Sequence, residues 1–371
     1  MLAVVSTTSI AVILLVLLVV GYLTYAIFNI FSNKAEIGAE VELAANRKEY
    51  LDDEQLEGPR LERVQILGVL FLFMIAVMLP IYWVLEPARQ SGAVVNSENR
   101  LQNWGSQLFA ATAAGGFNCA GCHGGMKGPG GNAPYTLIDP NTGQSKSVVW
   151  NAPALNTVLY RFSSDEVRFI LVYGRPFSPM SPWGVDGGGP MNDQQITTLI
   201  EYLKTIQIQP IGCASVTAQS FDIRSLADGG TDPAVCDGGQ LPDTKQADIN
   251  TSVKAAINAA AAAGKPITEG EALFNLSLDS GAYSCARCHT KGWSWGDPSS
   301  PGVGALGPNL TNASTVLHFA NVQDQIAFIT AGSKLGQRYG IQGQGSGRMP
   351  AFGHLLTQEQ LKAVIEYVRS L

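Results

Sequence analysis

The chain has 371 residues, room for an anchor and two modest domains rather than one small one. Acidic residues outnumber basic ones 30 to 24, a formal charge of -6, which leaves no basic footprint for nucleic acid. Glycine is abundant at 40 residues, as in loop-rich domains, and histidine is scarce at four.

From Ser9 to Phe31 no residue is charged, and the run matches the roughly 20 residues an apolar helix needs to cross a bilayer. A cleaved secretory leader would bring a positive start, a shorter apolar core and a small-residue cleavage site, so a retained helix is expected here. Val64 to Leu85 is a second uncharged run, with Pro80 near its outer end, where a kink is tolerated in a membrane helix. The segment between them carries Lys34, Arg47, Lys48, Arg60 and Arg63, whereas Met1 to Ser9 carries no basic residue. The excess of positive charge places loop 32–63 in the cytoplasm and both flanking ends outside. Residues 1–92 are therefore expected to form a two-pass transmembrane hairpin in contact with membrane lipid.

Residues 103–209 read as the first of two repeated domains. Gly105-Ser-Gln-Leu-Phe109 precedes Cys119-Ala-Gly-Cys122-His123, and Pro153 and Met180 follow before a closing helix around Ile200-Glu-Tyr-Leu-Lys204. Cys-x-x-Cys-His is a haem-attachment signature. Its two thiols bond the haem vinyl groups from one face of a turn, and the next residue reaches the iron. A zinc site would need further Cys or His ligands beside each motif, and the remaining cysteines are too few. In Pro179-Met180-Ser-Pro-Trp-Gly184 the methionine is the expected opposite ligand, with Met191 as its rival; Met126 lies too close to His123 to reach round to the other face.

Residues 210–265 belong to neither copy and read as a linker. Cys213 and Cys236 within it are expected to form a disulfide, as an oxidising compartment permits.

Residues 266–371 repeat the first domain. Gly270-Glu-Ala-Leu-Phe274 and Ile365-Glu-Tyr-Val-Arg369 both recur at an offset of 165, and Asp165-Glu-Val-Arg-Phe-Ile170 pairs with Asp324-Gln-Ile-Ala-Phe-Ile329. The second motif is Cys285-Ala-Arg-Cys288-His289, with Met349 in Arg348-Met-Pro-Ala-Phe-Gly353 as the opposite ligand and His318 and His354 as rivals. In both closing helices apolar residues recur at i, i+3, i+4 and i+7: Ile196, Leu199, Ile200 and Leu203 in one, Leu361, Val364, Ile365 and Val368 in the other. Pro153 and Pro308 are expected to orient the two histidines by accepting the ring N–H, a contact that raises ligand basicity.

On Cys-x-x-Cys-His, Gly307-Pro-Asn-Leu310, Met349-Pro-Ala-Phe-Gly353 and the Ile-Glu-Tyr helices, each repeat resembles a class I cytochrome c domain. The resemblance implies a mainly α fold, two N-terminal transmembrane helices followed by two tandem class I cytochrome c domains, holding two covalently attached c-type haems. The tandem arrangement resembles the dihaem cytochrome c subunit of actinobacterial cytochrome bc complexes. Two leading apolar helices also resemble the third subunit of cbb3-type oxidases.

The resemblance implies an electron-transfer subunit of a respiratory quinol:cytochrome c reductase, with cytochrome b and iron-sulfur subunits as partners, passing electrons to a terminal oxidase. The alternative is a subunit of a haem-copper oxidase, and a third class is a dihaem peroxidase or dehydrogenase with an open iron. Residues 103–209 carry six basic and six acidic residues and residues 266–371 seven of each, so no strong charge steers a transient partner. Covalent haem attachment takes place outside the bacterial cytoplasmic membrane, which agrees with the charge-based topology: N-terminus and haem domains extracytoplasmic.

Overall fold

The computed structural model describes residues 16–17, 20–28, 31, 58–139, 142–210 and 240–371. It divides into two compact units, Met1–Pro87 and Ala88–Leu371.

In the first unit, the described residues of the first apolar run are helical, and the rest of that run and loop 32–57 lie outside the described residues. The second run forms part of helix α1 (Pro59–Phe109), which keeps Pro80 and Pro87 within it. Among the described residues α1 is the one helix long and apolar enough to cross a membrane. Its apolar side chains are uncovered, Val69 at 65% and Trp83 at 77% exposure, a surface suited to acyl chains rather than water.

The second unit is mainly helical and, among the described residues, carries two small antiparallel hairpins. Its first repeat runs from the end of α1 through α2 (Cys119–His123), the hairpin β1 (Gly131–Ile138) and β2 (Ser145–Ala152), α3 (Ser164–Tyr173) and α4 (Asp193–Thr205). Strand pairing is in register from Gly131 opposite Ala152 to Ile138 opposite Ser145. After α5 (Asp243–Ala262), the second repeat follows as α6 (Glu269–Phe274), α7 (Ala286–His289), α8 (Val322–Ala331), the short hairpin β3 (Arg338–Tyr339) and β4 (Gly343–Gln344), and α9 (Gln358–Ser370).

The repeated sequences have a common packing cause. A Cβ on Gly105 would overlap the Thr198 carbonyl and the Tyr202 side chain; one on Gly270 would overlap the Ala363 carbonyl and Tyr367. Glycine lets the helix before each motif cross the closing helix in backbone contact. Phe109 then meets Tyr202 at 5.3 Å between ring centroids, as Phe274 meets Tyr367 at 5.3 Å. The apolar stripes of α4 and α9 are buried as their periodicity requires, and a single core runs through both repeats.

Helix starts follow from local chemistry. Ser163 with Glu166, Asn192 with Gln195 and Thr357 with Gln360 each form a reciprocal capping box, satisfying two otherwise orphaned backbone donors.

The interval expected to be a linker contains α5. Ile249 and Val253 of this helix are buried, Gln246 donates to the Leu355 carbonyl at 2.7 Å, and Gln360 bonds Asn250 at 2.9 Å. Residues 240–262 are thus docked on the second repeat. The alanine-rich stretch from Ala255 to Ala262 is the end of this helix. Cys213 and Cys236 lie outside the described residues.

Candidate functional site

Both Cys-x-x-Cys-His motifs open into one cavity of about 700 Å3, whose wall also includes Met180 and Met349. In the first motif Asn118 takes a left-handed conformation (φ 66°) that turns the chain into α2, so Cys119, Cys122 and His123 share one helical turn. In the second, Cys285 is the residue from which α7 starts, and Cys288 and His289 follow on the same turn.

The two histidines are held alike. His123 Nδ1 lies 2.8 Å from the Pro153 carbonyl and His289 Nδ1 lies 2.8 Å from that of Pro308. A carbonyl can only accept, so each Nδ1 carries the proton and Nε2 keeps its lone pair. Burial pushes the His123 imidazole down to about 4 and lowers that of His289, keeping the neutral, metal-binding form at neutral pH.

Gly307 shows how closely the second site is fitted. A Cβ there would stand 2.6 Å from His289 Cε1 and 2.8 Å from Nδ1, so the ring occupies the space a side chain would need.

None of the four motif cysteines is paired in a disulfide, and each is partly buried. Burial pushes Cys119 up to about 11 and Cys285 up to about 12, as expected for thiols facing an apolar cavity. Among the described residues no three His, Cys, Asp or Glu side chains gather as a metal-binding group, although a structural zinc site needs four ligands. Paired thiols beside a pre-oriented histidine, in an apolar cavity with a methionine in its wall, fit a haem bound through two thioethers in each repeat.

The other sequence candidates separate by position. Met191 is fully buried in the core, where its backbone pairs with Trp183 and Val185, and it is not part of the cavity wall. His318 does reach the wall, but its ring packs on Phe319 and Tyr339 at 4.9 and 5.1 Å, with Nε2 facing Gly340. His354 and Met126 lie outside the wall.

Sequence reasoning missed the arginines. Arg161, Arg175, Arg287 and Arg348 all line the cavity. Burial pulls Arg161 and Arg287 down to about 10 and lowers Arg175 too. Arg161 donates to the Ala154 carbonyl, and Arg175 and Arg287 donate to main-chain carbonyls of the opposite repeat. The one visible signal was Arg287, a long cation between the two cysteines of the second motif.

Residues 103–207 match a protein-family model described as cytochrome c, and residues 265–368 match one described as cytochrome c oxidase, cbb3-type, subunit III. No curated protein and no solved structure matches the chain.

Proposed function

The chain is a dihaem cytochrome c with one covalently attached haem per repeat, and from that premise we propose that it is a fixed electron-transfer subunit of a respiratory membrane complex feeding a haem-copper oxidase. The observation that carries this reading is the single cavity: both attachment motifs and both methionines line it within one compact unit. That arrangement suits a wire through the protein better than two separate carriers.

When bound, each haem supplies a one-electron iron couple. The residues of this chain do the rest. Cys119 and Cys122, and Cys285 and Cys288, anchor the two haems. His123 and His289, oriented by the carbonyls of Pro153 and Pro308, would ligate the two irons, and Met180 and Met349 would supply a further ligand to each. The place of both methionines in the wall, and of Met191 in the core, supports this pairing. Methionine ligation would raise the potential and leave the iron closed to exogenous ligands.

The match of residues 265–368 to the cbb3-type subunit III model favours direct association with haem-copper catalytic subunits. A second placement, within a cytochrome bc-type complex, is favoured by the tandem of two cytochrome c domains. In either, residues 9–31 and 64–85 form the two-pass anchor of a bacterial cell membrane, with the haem domains outside.

Mild-detergent purification tests the placement. Recovery with haem-copper subunits and no cytochrome b is expected, and recovery with cytochrome b and an iron-sulfur protein would move the chain to the bc-type complex. Carbon monoxide should leave the reduced spectrum unchanged; ready binding at either haem would overturn the methionine ligation and favour an enzyme.

A further inference from the structure

The turn that orients His123 is gripped from the opposite repeat. Arg287, between Cys285 and Cys288, donates from Nη2 to the Asn151 carbonyl and from Nη1 to the Ser280 carbonyl, the latter at 2.8 Å. Ala154 N–H donates to the Asp279 carbonyl at 3.1 Å. Pro153, whose carbonyl accepts from His123 Nδ1–H, lies between these two ties.

The reverse arrangement holds around Met349. Arg175, in the first repeat, donates to the Arg348 carbonyl at 2.9 Å, and Ala351 N–H donates to the Arg161 carbonyl at 2.9 Å. Met349 is bracketed between these two contacts. Each ligand loop is therefore held by contacts from the domain that carries the other haem.

A guanidinium fork fixes two carbonyls at once, which a lysine ammonium on its flexible stem does not. The hydrogen bond on the far nitrogen of a ligating histidine sets ring orientation and basicity, so moving the Pro153 carbonyl would change the iron site without touching its ligands.

We propose that Arg287 and Arg175 are positioning residues that cross-brace the two haem sites, each holding the ligand loop of the opposite haem. This rests on the reading of His123 and Met349 as ligands. Arg287 and Arg161 also lie close enough to His123 for their charge to act on it, so position and charge must be separated.

The test uses the full chain, purified in detergent with both haems attached, and reads the electron paramagnetic resonance of each ferric haem, which reports ligand-ring orientation. Met180→His, which alters one haem only, assigns the signals. Arg287→Gln and Arg287→Lys should both shift the first haem's signal, the lysine variant although it keeps the charge. An unmoved signal in Arg287→Gln, or a wild-type signal in Arg287→Lys, overturns the proposal.

Arg175→Gln, outside the attachment motif, should shift the second haem's methionine–iron absorption band, and an unchanged band also overturns it. Lys146→Gln, which removes another link between the repeats, should move neither. His123→Ala must abolish the first haem's low-spin signal. If it does not, the ligand reading itself fails, an outcome distinct from failure of the cross-brace.

Discussion

In the second repeat the orienting proline follows its histidine by 19 residues, and in the first by 30. The difference is filled by the β1–β2 hairpin, which the second repeat lacks at this place. The short connection is tied to its own motif: Gly304 N–H donates to the His289 carbonyl at 2.9 Å and Gly307 N–H to that of Cys288 at 2.7 Å. The long one is tied to its motif by Gly130 N–H to the His123 carbonyl at 3.1 Å, is held within its own repeat by Tyr202 Oη donating to the Met126 carbonyl at 2.6 Å, and is gripped near Pro153 by Arg287 and the Asp279 carbonyl of the other repeat. Duplication has kept the 2.8 Å histidine contact while changing what holds it. The His123 contact thus draws part of its support from the other repeat, whereas the His289 contact is held by its own motif.

The strongest way to break the comparison is to change the ligands. Met349→His should lower the second haem's midpoint potential by a substantial part of the roughly 0.8 V that axial ligation commands, with Met180→His doing the same to the first. Redox titration of each variant would resolve the two haems. Equal falls are expected if both irons carry methionine, and a fall in one variant only would show that the repeats differ in ligation as well as in bracing.

Next in size is the residue before each proline, glycine in the second repeat and alanine in the first. Gly307→Ala should cost about 1–3 kcal/mol as overpacking against the His289 ring, and should perturb the second haem's spectrum. Ala152→Gly, at the end of β2, should cost only about 0.5–1 kcal/mol through added chain entropy, with no spectral change. Chemical unfolding followed at the haem band would separate the two. If both variants behave alike, the fit at Gly307 is not what distinguishes the sites.

What could be read from the sequence is what local chemistry determines. Cys-x-x-Cys-His within a repeat identified the haems, and the spacing Ile196, Leu199, Ile200, Leu203 identified a buried helix face. Met180 was separable from Met191 only by its surroundings, and the structure separates them by burial. The arginines were illegible for a physical reason. Arg287 meets Asn151, and Arg175 meets Arg348, at separations of 136 and 173 residues, through backbone carbonyls that every residue possesses. No residue pattern marks a carbonyl as a partner. The α5 helix was missed because its core-facing stripe, Ile249, Val253, Ala256 and Ile257, is half hidden among small and polar neighbours in an otherwise alanine-rich segment.

Smaller again are the helix caps. The equivalent helices α3 and α8 start differently: Ser163 forms a full box with Glu166, whereas Asn321 only accepts from Gln323 N–H at 2.9 Å. Ser163→Ala should cost about 1 kcal/mol, and Asn321→Ala no more than that. A larger loss from Asn321 would mean that the second repeat depends on its caps more than its geometry indicates.

The smallest effect is expected where a connection between repeats looks most obvious. Lys146 and Asp297 form an ion pair at 2.8 Å, but their side chains are 64% and 66% exposed. The Lys146 hydrogen bond and charge hold the Asp297 carboxyl below its usual range. A depressed carboxylate contributes stability above its unfolded pKa and loses it as pH falls through the folded value, so any contribution would be present at neutral pH and absent in acid. Water and salt screen exposed pairs of this kind. Lys146→Gln should therefore leave the neutral-pH unfolding midpoint unchanged within the precision of a thermal melt, at low and moderate salt alike. The link between repeats that matters is the one whose donor lines the cavity, the part-buried bond from Arg287 to the Asn151 carbonyl; a clear, salt-dependent drop in Lys146→Gln would place it at the surface instead.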